Sequence, residues 1–95
     1  MSAYVIVNIE VTDPAPYEEY KRLAHATVVQ YDGRYIVRGG AAEQLEGNWE
    51  PKRVVVLEFP TMARAREWFD SPEYAPARKI RQAAAVSDMI LVEGA

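Results

Sequence analysis

The sequence predicts a single α+β domain over residues 1–95, a ferredoxin-like βαββαβ sandwich whose four-stranded antiparallel sheet carries its helices on one face. Three observations predict this fold. The chain has 95 residues, of which 49% are apolar, and this is enough for one small core. Four apolar stretches and two amphipathic stretches follow one another in the order β-α-β-β-α-β. No linker, internal repeat or low-complexity segment divides them.

The first half of the chain predicts a strand, a long helix and a second strand. Residues 3–11 alternate as a strand does, and Thr12-Asp13-Pro14 supplies a helix start. The helix, of about 16 to 18 residues, ends at Asp32-Gly33, where Gly33 is expected to take the left-handed conformation. Residues 34–38 form the second strand, and Gly39-Gly40 indicates a bulge or a close backbone approach. The apolar stripe of the helix consists of Tyr17, Tyr20, Ala24, Thr27, Val28 and Tyr31.

The second half predicts a strand, a helix in two pieces and a final strand. Residues 53–59 form the most apolar strand and pair with residues 34–38 as a hairpin. Thr61 caps a short helix, and Ser71 caps a second helix that runs to about residue 84. Residues 87–93 close the chain as the fourth strand.

Composition excludes several classes of function. There is no cysteine and one histidine, so disulfides, thiol nucleophiles and a structural zinc site are out of reach, and we expect no metal, haem or flavin cofactor. A net charge of −3 without a lysine-rich tract argues against nucleic-acid binding. No apolar run is long enough to span a membrane, and no leader is visible, which predicts a soluble cytoplasmic protein with no membrane partner.

The strands predict a second apolar surface. Tyr4 and Ile6 lie on the face of the first strand opposite its core residues, and residues 54–57 and 89–92 are apolar on both faces. A sheet face in contact with water is normally polar, so these residues predict a cover. We expect a homodimer in which the two sheets face each other.

Several motifs resemble those of the domain of unknown function 1330 family, across nearly the whole chain. The resemblance implies the dimeric α/β-barrel superfamily, in which two ferredoxin-like subunits pair sheet to sheet. Its members include cofactor-free monooxygenases of aromatic polyketides, haem-degrading monooxygenases and muconolactone isomerases. The family itself implies no activity. The motifs are GRYIVRGG at 33–40, LEGNW at 45–49 with Pro51, VLEFP at 56–60, and DSPEY at 70–74 with Arg78 and Arg81.

Two groups of arginines are candidates for ligand binding. Arg34 and Arg38 lie four residues apart in one strand, so we expect them on one face. Arg78 and Arg81 share a helix face with Tyr74. If the ends of the strand and helix converge, these side chains would bind a small organic carboxylate, phenolate or phosphate, because guanidinium offers paired donors. The alternative is that Arg38 forms an ion pair with Glu58 or Asp88.

Three further residues are candidates for the site. His25 is a candidate catalytic base, because histidine is the residue type suited to proton transfer near neutral pH, although its place beside the apolar stripe also fits an exposed helix-edge residue. Asp88, an acid within an apolar strand, is either a paired charge or a catalytic acid. Trp49 lies in the predicted hairpin loop, where it is a lid over a ligand cavity or an anchor on the partner subunit.

Haem chemistry receives little support from the residues. The haem-degrading relatives use an asparagine on the first strand and a tryptophan on the second helix, and Asn8 and Trp68 stand at suitable places. They also use a histidine iron ligand in that helical region, but residues 71–85 contain no histidine, and His25 lies on the other helix.

Three functions remain open on the sequence. The first is a cofactor-independent monooxygenase or isomerase, in which Arg38 or Arg78 holds an oxyanion and His25, Tyr74 or Asp88 moves protons. The second is a non-catalytic dimeric protein that binds a small metabolite. The third is a purely structural dimer.

Overall fold

The computed structural model describes all 95 residues and confirms the predicted fold class. The strands form one antiparallel sheet in the order β2-β3-β1-β4. None of the helices has the length and apolar character needed to cross a membrane. The elements are β1 (Ala3–Val11), α1 (Pro14–Gln30), β2 (Arg34–Arg38), β3 (Arg53–Phe59), α2 (Met62–Asp70), α3 (Ala75–Ala84) and β4 (Ala85–Glu93).

The two faces of the sheet have different surroundings. On the inner face, alternate residues of β1 and β3 are buried against the helices. The largest fully buried side chains in this layer include Trp68, Tyr74 and Phe59. On the outer face, Val86, Ile90 and other apolar residues remain exposed, because nothing in the chain packs over them. The inner face therefore contains the whole core of the chain.

Helix α1 buries the predicted stripe from Tyr17 to Val28, whereas Tyr31 follows the helix and is half-buried, and the C-terminal turn differs from the prediction. Asp32, rather than Gly33, takes the left-handed conformation, with φ 66°. Gly33 is needed for a different reason: a Cβ there would lie 2.6 Å from a ring carbon of Phe59 and 2.9 Å from a methyl of Val28. The glycine therefore allows the chain to leave the helix in direct contact with the core.

A β-bulge in β2 falls at Ile36, and not at Gly39-Gly40. Tyr35 pairs with Leu57, whereas Val37 pairs with Val56, so one extra residue stands between them. This extra residue reverses the alternation of side chains along the rest of the strand. The expected close approach does occur at Gly39, where φ is +74° and a Cβ would lie 2.2 Å from Nη1 of Arg53.

The bulge corrects the prediction that Arg34 and Arg38 share a face. Arg34 pairs with Glu58 on the outer face, whereas Arg38 pairs with Val55 on the inner face. The two arginines therefore point to opposite sides of the sheet.

The second half follows the predicted order with small shifts of boundaries. The Thr61 hydroxyl accepts a hydrogen bond from the Arg64 backbone N–H at 3.0 Å, which caps α2. The Ser71 hydroxyl accepts from the Tyr74 backbone N–H at 3.1 Å, so Ser71 caps a turn and α3 begins four residues later, at Ala75. Strand β4 begins two residues before the predicted position, directly after α3.

Candidate functional site

A small cavity lies between α1 and the inner face of the sheet. Its volume is about 20 Å³, enough for roughly one water molecule or one ligand oxygen atom. Side chains of β1, β3 and β4 form its apolar wall, and α1 contributes Tyr17, Tyr20 and Lys21. Strand β2 contributes Tyr35 and Arg38, because the bulge turns Arg38 inward.

Apart from the indole of Trp68, whose N–H is bonded to Thr27, the polar groups that line this cavity are cations or phenols. They are three positively charged side chains, from Lys21, Arg38 and Arg53, and the three tyrosines. No carboxylate lines the cavity. The same three cations also line an open depression of about 580 Å³ on the surface, together with Glu18, Arg22 and His25. Cavity and depression therefore meet at a basic rim.

Two tyrosine rings support the basic rim. The Arg38 guanidinium carbon lies 4.3 Å from the centre of the Tyr35 ring, and the His25 ring stacks on Tyr35 at 5.6 Å with 10° between the planes. The Arg53 guanidinium carbon lies 6.0 Å from the centre of the Tyr17 ring. Cation–π contacts of this kind hold a guanidinium in place without neutralising its charge.

The cations of the rim differ in whether they are paired. Lys21 forms an ion pair with Glu18 at 2.9 Å, and Arg22 pairs with an acid of its own helix. Arg38 and Arg53 form no ion pair with any acid of the chain. Nε of Arg53 is buried and has no hydrogen-bond acceptor. Buried polar groups normally have a partner, so this N–H indicates an acceptor that the chain itself does not supply.

Burial alters the acidity of two of the cavity tyrosines, Tyr20 and Tyr35. Burial raises the pKa of Tyr35 and, further still, that of Tyr20. Burial has this effect because a phenolate loses its hydration in the protein interior. Both side chains are therefore neutral phenols at physiological pH and can donate a hydrogen bond to an oxyanion.

Two of the predicted site residues meet at the basic rim: Arg38 and His25. The alternative, in which Arg38 forms an ion pair with Glu58 or Asp88, is wrong, because the bulge places Arg38 on the opposite face of the sheet. Glu58 instead accepts a hydrogen bond from Nε of Arg34 at 2.6 Å and one from the Tyr4 hydroxyl at 3.1 Å. The bond from Arg34 is the main reason that the pKa of Glu58 lies below its usual range.

The remaining predicted residues lie outside this site. Asp88 lies on the outer face opposite Asn8, and Trp49 is 58% exposed in the loop between β2 and β3. Tyr74 is fully buried behind Tyr20. Nη1 of Arg78 donates to the backbone oxygen of Phe69 at 2.7 Å and does not reach the cavity. Ligand roles for these residues find no geometric support at this cavity.

Sequence reasoning missed Arg53 as a site residue. Its signal was present, since Arg53 stands in phase with Val55, Leu57 and Phe59 on the buried face of β3. A charged side chain on the buried face of a strand is rare and usually has a specific role. Arg53 lies at the mouth of the cavity. Tyr17 and Tyr20 belonged to the predicted stripe, but periodicity alone does not separate a cavity wall from a filled core.

Residues expected for haem chemistry do not form one site. Asn8 lies on the outer face, where its side-chain oxygen accepts from the backbone N–H of Lys52 at 3.0 Å. Trp68 is buried on the other side of the sheet and donates to the Thr27 hydroxyl at 3.1 Å. No three histidine or acidic side chains lie close enough together to hold a metal ion.

The fold resembles several solved structures at low sequence identity. A protein of unknown function from Rhodopseudomonas palustris matches with a TM-score of 0.80 and 21% identity, over 99% of this chain and 82% of that one. SnoaB, a cofactor-independent oxygenase from Streptomyces nogalater, matches with a TM-score of 0.69 and 15% identity, over 99% and 93%. A dimeric ferredoxin-like protein of unknown function from Jannaschia sp. CCS1 matches with a TM-score of 0.67 and 15% identity, over 99% and 100%.

Sequence comparison gives the family directly. No curated protein sequence matches this chain. A family model described as a domain of unknown function, DUF1330, matches residues 2–95, which is all but the first residue. The resemblance of the motifs is therefore confirmed, and the chain belongs to the DUF1330 family.

Proposed function

We propose that this protein binds a small organic anion at the basic rim, with one oxygen atom of the ligand in the cavity and the remainder in the depression. The observation that carries the proposal is the set of polar groups around the cavity: cations and phenols, with no carboxylate. Arg38 and Arg53 lack acidic partners, and the buried Nε of Arg53 lacks an acceptor. A carboxylate or phenolate oxygen supplies what these donors lack.

The chemistry that such a site favours is cofactor-independent oxygenation. In this proposal two guanidinium groups stabilise the deprotonated form of a bound aromatic compound, and His25, which lines the depression, is the proton acceptor. An electron-rich carbanion reduces O₂ without help: a CH₂ group next to the ring becomes C=O, one oxygen atom enters the product and the other leaves as water. The fold shared with SnoaB, described as a cofactor-independent oxygenase, is compatible with this reaction.

Binding is tested by titration with 4-nitrophenol, whose phenolate absorbs visible light. We expect the protein to bind the phenolate and to lower the pKa of the bound probe. Arg38→Ala should abolish this shift, because it removes a guanidinium of the rim. Arg34→Ala is the matched control, since it removes the same charge from the other face of the same strand. Equal binding by both variants would contradict the proposed site.

Oxygenation is tested separately, with anthrone and an oxygen electrode. Anthrone has an ionisable CH₂ group between aromatic rings, and its conversion to the quinone consumes one O₂ per molecule. We expect oxygen uptake above the rate in buffer, and its loss in Arg38→Ala. Retained binding of 4-nitrophenol with no uptake of oxygen would reject the oxygenase and leave a binding protein.

We also infer that two copies of the chain pair through the outer face of the sheet. Val86 is 63% exposed and Ile90 60% exposed, and Val37 and Val92 are each about two fifths exposed on the same face. Covering such a surface removes apolar area from water, which favours association by about 25 cal/mol per Å². Two structures with this fold, from Jannaschia sp. CCS1 and Bacteroides fragilis, are described as dimeric.

A further inference from the structure

Arg81 on α3 is a buried cation without an acidic partner. Its residue is 5% exposed, and it forms no ion pair. Its one side-chain hydrogen bond runs from Nε to the Tyr74 hydroxyl at 3.4 Å. The Nη atoms of Arg81 keep access to water, whereas Nε points inward to this hydroxyl, so the positive charge acts on a buried phenol.

The Tyr74 hydroxyl connects Arg81 to the cavity. It lies 3.0 Å from the Tyr20 hydroxyl, and Tyr20 lines the cavity wall. Tyr74 itself is fully buried and does not reach the cavity. The three side chains therefore form a line from the interior between α1 and α3 to the inner end of the proposed ligand site.

The direction of the hydrogen bonds in this line follows from the donors available. A guanidinium has no acceptor, so the Tyr74 oxygen accepts from Arg81. If Tyr74 then donates to Tyr20, the oxygen and the hydrogen of the Tyr74 hydroxyl both have a partner. The hydroxyl hydrogen of Tyr20 is then available to a group in the cavity. In the reverse arrangement the Tyr74 hydrogen is buried without an acceptor, which is unfavourable. The first arrangement is therefore favoured.

We propose that Tyr20 is the inner hydrogen-bond donor to the ligand's oxyanion, positioned by Tyr74 and polarised by the positive charge of Arg81. This inference rests on the proposed function and deepens it. The outer end of the oxyanion site is the pair of guanidinium groups at the mouth, and the inner end is a phenol that cannot be a competing base. The site thereby selects a ligand with a single projecting oxygen, such as a phenolate, which fits a cavity of about 20 Å³.

The test compares two probes on variants that lose only a hydroxyl group. Tyr20→Phe should weaken binding of 4-nitrophenolate by roughly 10- to 100-fold, the value of one hydrogen bond to a charged group. Binding of nitrobenzene, which has neither the oxyanion nor a larger group in its place, should be unchanged. Tyr31→Phe is the matched control, because Tyr31 ends the same helix stripe but does not line the cavity. Tyr74→Phe should give a smaller loss, with a smaller pKa shift of the bound probe.

The outcomes separate this inference from the proposed function. If Arg38→Ala loses 4-nitrophenolate but Tyr20→Phe binds it as the unsubstituted protein does, the inner donor is rejected and the basic rim stands. If Tyr20→Phe weakens both probes equally, Tyr20 has a packing role and the inner donor is again rejected. If the unsubstituted protein binds neither probe, both proposals fail. Thermal unfolding of each variant shows whether a loss of binding reflects a loss of folded protein.

Discussion

Gly39→Ala gives a direct test of the role of Arg53 in anion binding. A Cβ at Gly39 would lie 2.2 Å from Nη1 and 2.7 Å from Cζ of Arg53, where ordinary contacts begin near 3.4 Å. The guanidinium must therefore retreat by at least about 1.2 Å, the difference between the closest contact and an ordinary one. Because a long side chain moves aside easily, the clash displaces the charged guanidinium and leaves the packing of the core unchanged. We expect 4-nitrophenolate to bind roughly 10- to 100-fold more weakly, as for one lost hydrogen bond to a charged group.

A second glycine provides the control for backbone strain. Gly47 also has a positive φ, +82°, but a Cβ there meets nothing within 4 Å. Alanine in this conformation costs about 1–2 kcal/mol at either position. For a domain of this size that lowers the melting temperature by roughly 4–16 °C in both variants. Gly47→Ala should therefore match Gly39→Ala in thermal stability while keeping the affinity of the unsubstituted protein.

The assay is a titration with 4-nitrophenol, followed by absorbance, beside thermal unfolding by circular dichroism. If both variants bind the probe as tightly as the unsubstituted protein, the reasoning is refuted, because the displaced guanidinium would then have no role in binding. Equal loss of affinity in the two variants would refute it as well, since strain alone would explain the effect.

Three further predictions follow from the same structure. Arg38→Ala should lower the free energy of unfolding by no more than about 1 kcal/mol in chemical denaturation, because the side chain is exposed and makes a cation–π contact rather than an ion pair; a loss of about 3–5 kcal/mol would indicate a buried pair instead. Gly33→Ala should cost about 1–3 kcal/mol through its contacts with core atoms at 2.6–2.9 Å, whereas Gly40→Ala, with nothing within 4 Å, should leave the melting temperature nearly unchanged; similar melting temperatures would contradict this. Ile90→Asp should turn a dimer into a monomer of 10.7 kDa by light scattering. In a two-fold interface each subunit loses the burial of one Ile90 side chain, which is about 1.5–3 kcal/mol per subunit. Val29→Asp, at a comparably exposed valine on α1, should stay dimeric.

The fold was predictable because each element carries a strong local signal. The apolar stripe of α1 matches its buried residues, including Tyr17, Ala24 and Val28. Strand β3 occupies the predicted range of residues 53–59, since its alternating apolar residues fit a half-buried sheet position. The helix ends were predicted less well: the left-handed residue is Asp32, because Gly33 is occupied by the contact with Phe59. A glycine allows either a left-handed backbone or a close contact that leaves no room for a Cβ, and the sequence does not distinguish the two.

The candidate site was predictable only in part, because it depends on which residues share a face. His25 and Arg38 were recognised by their chemistry, and both line the depression. Arg53 was overlooked, although its place on the apolar face of β3 was visible. Tyr20 was assigned to the core, since a buried phenol that lines a cavity of about 20 Å³ has the same spacing as one that fills it.

The position of one bulge decides what the site contains. Strict alternation would place Arg34 and Arg38 together, and either could then reach Glu58. With the extra residue at Ile36, Arg34 neutralises Glu58 on the outer face, and Arg38 is delivered to the cavity without a counter-ion. The residue types around Ile36 carry no bulge signal, since both flanking residues are ordinary strand formers. The same local irregularity therefore removes an acid from the neighbourhood of Arg38 and leaves its charge available to a ligand.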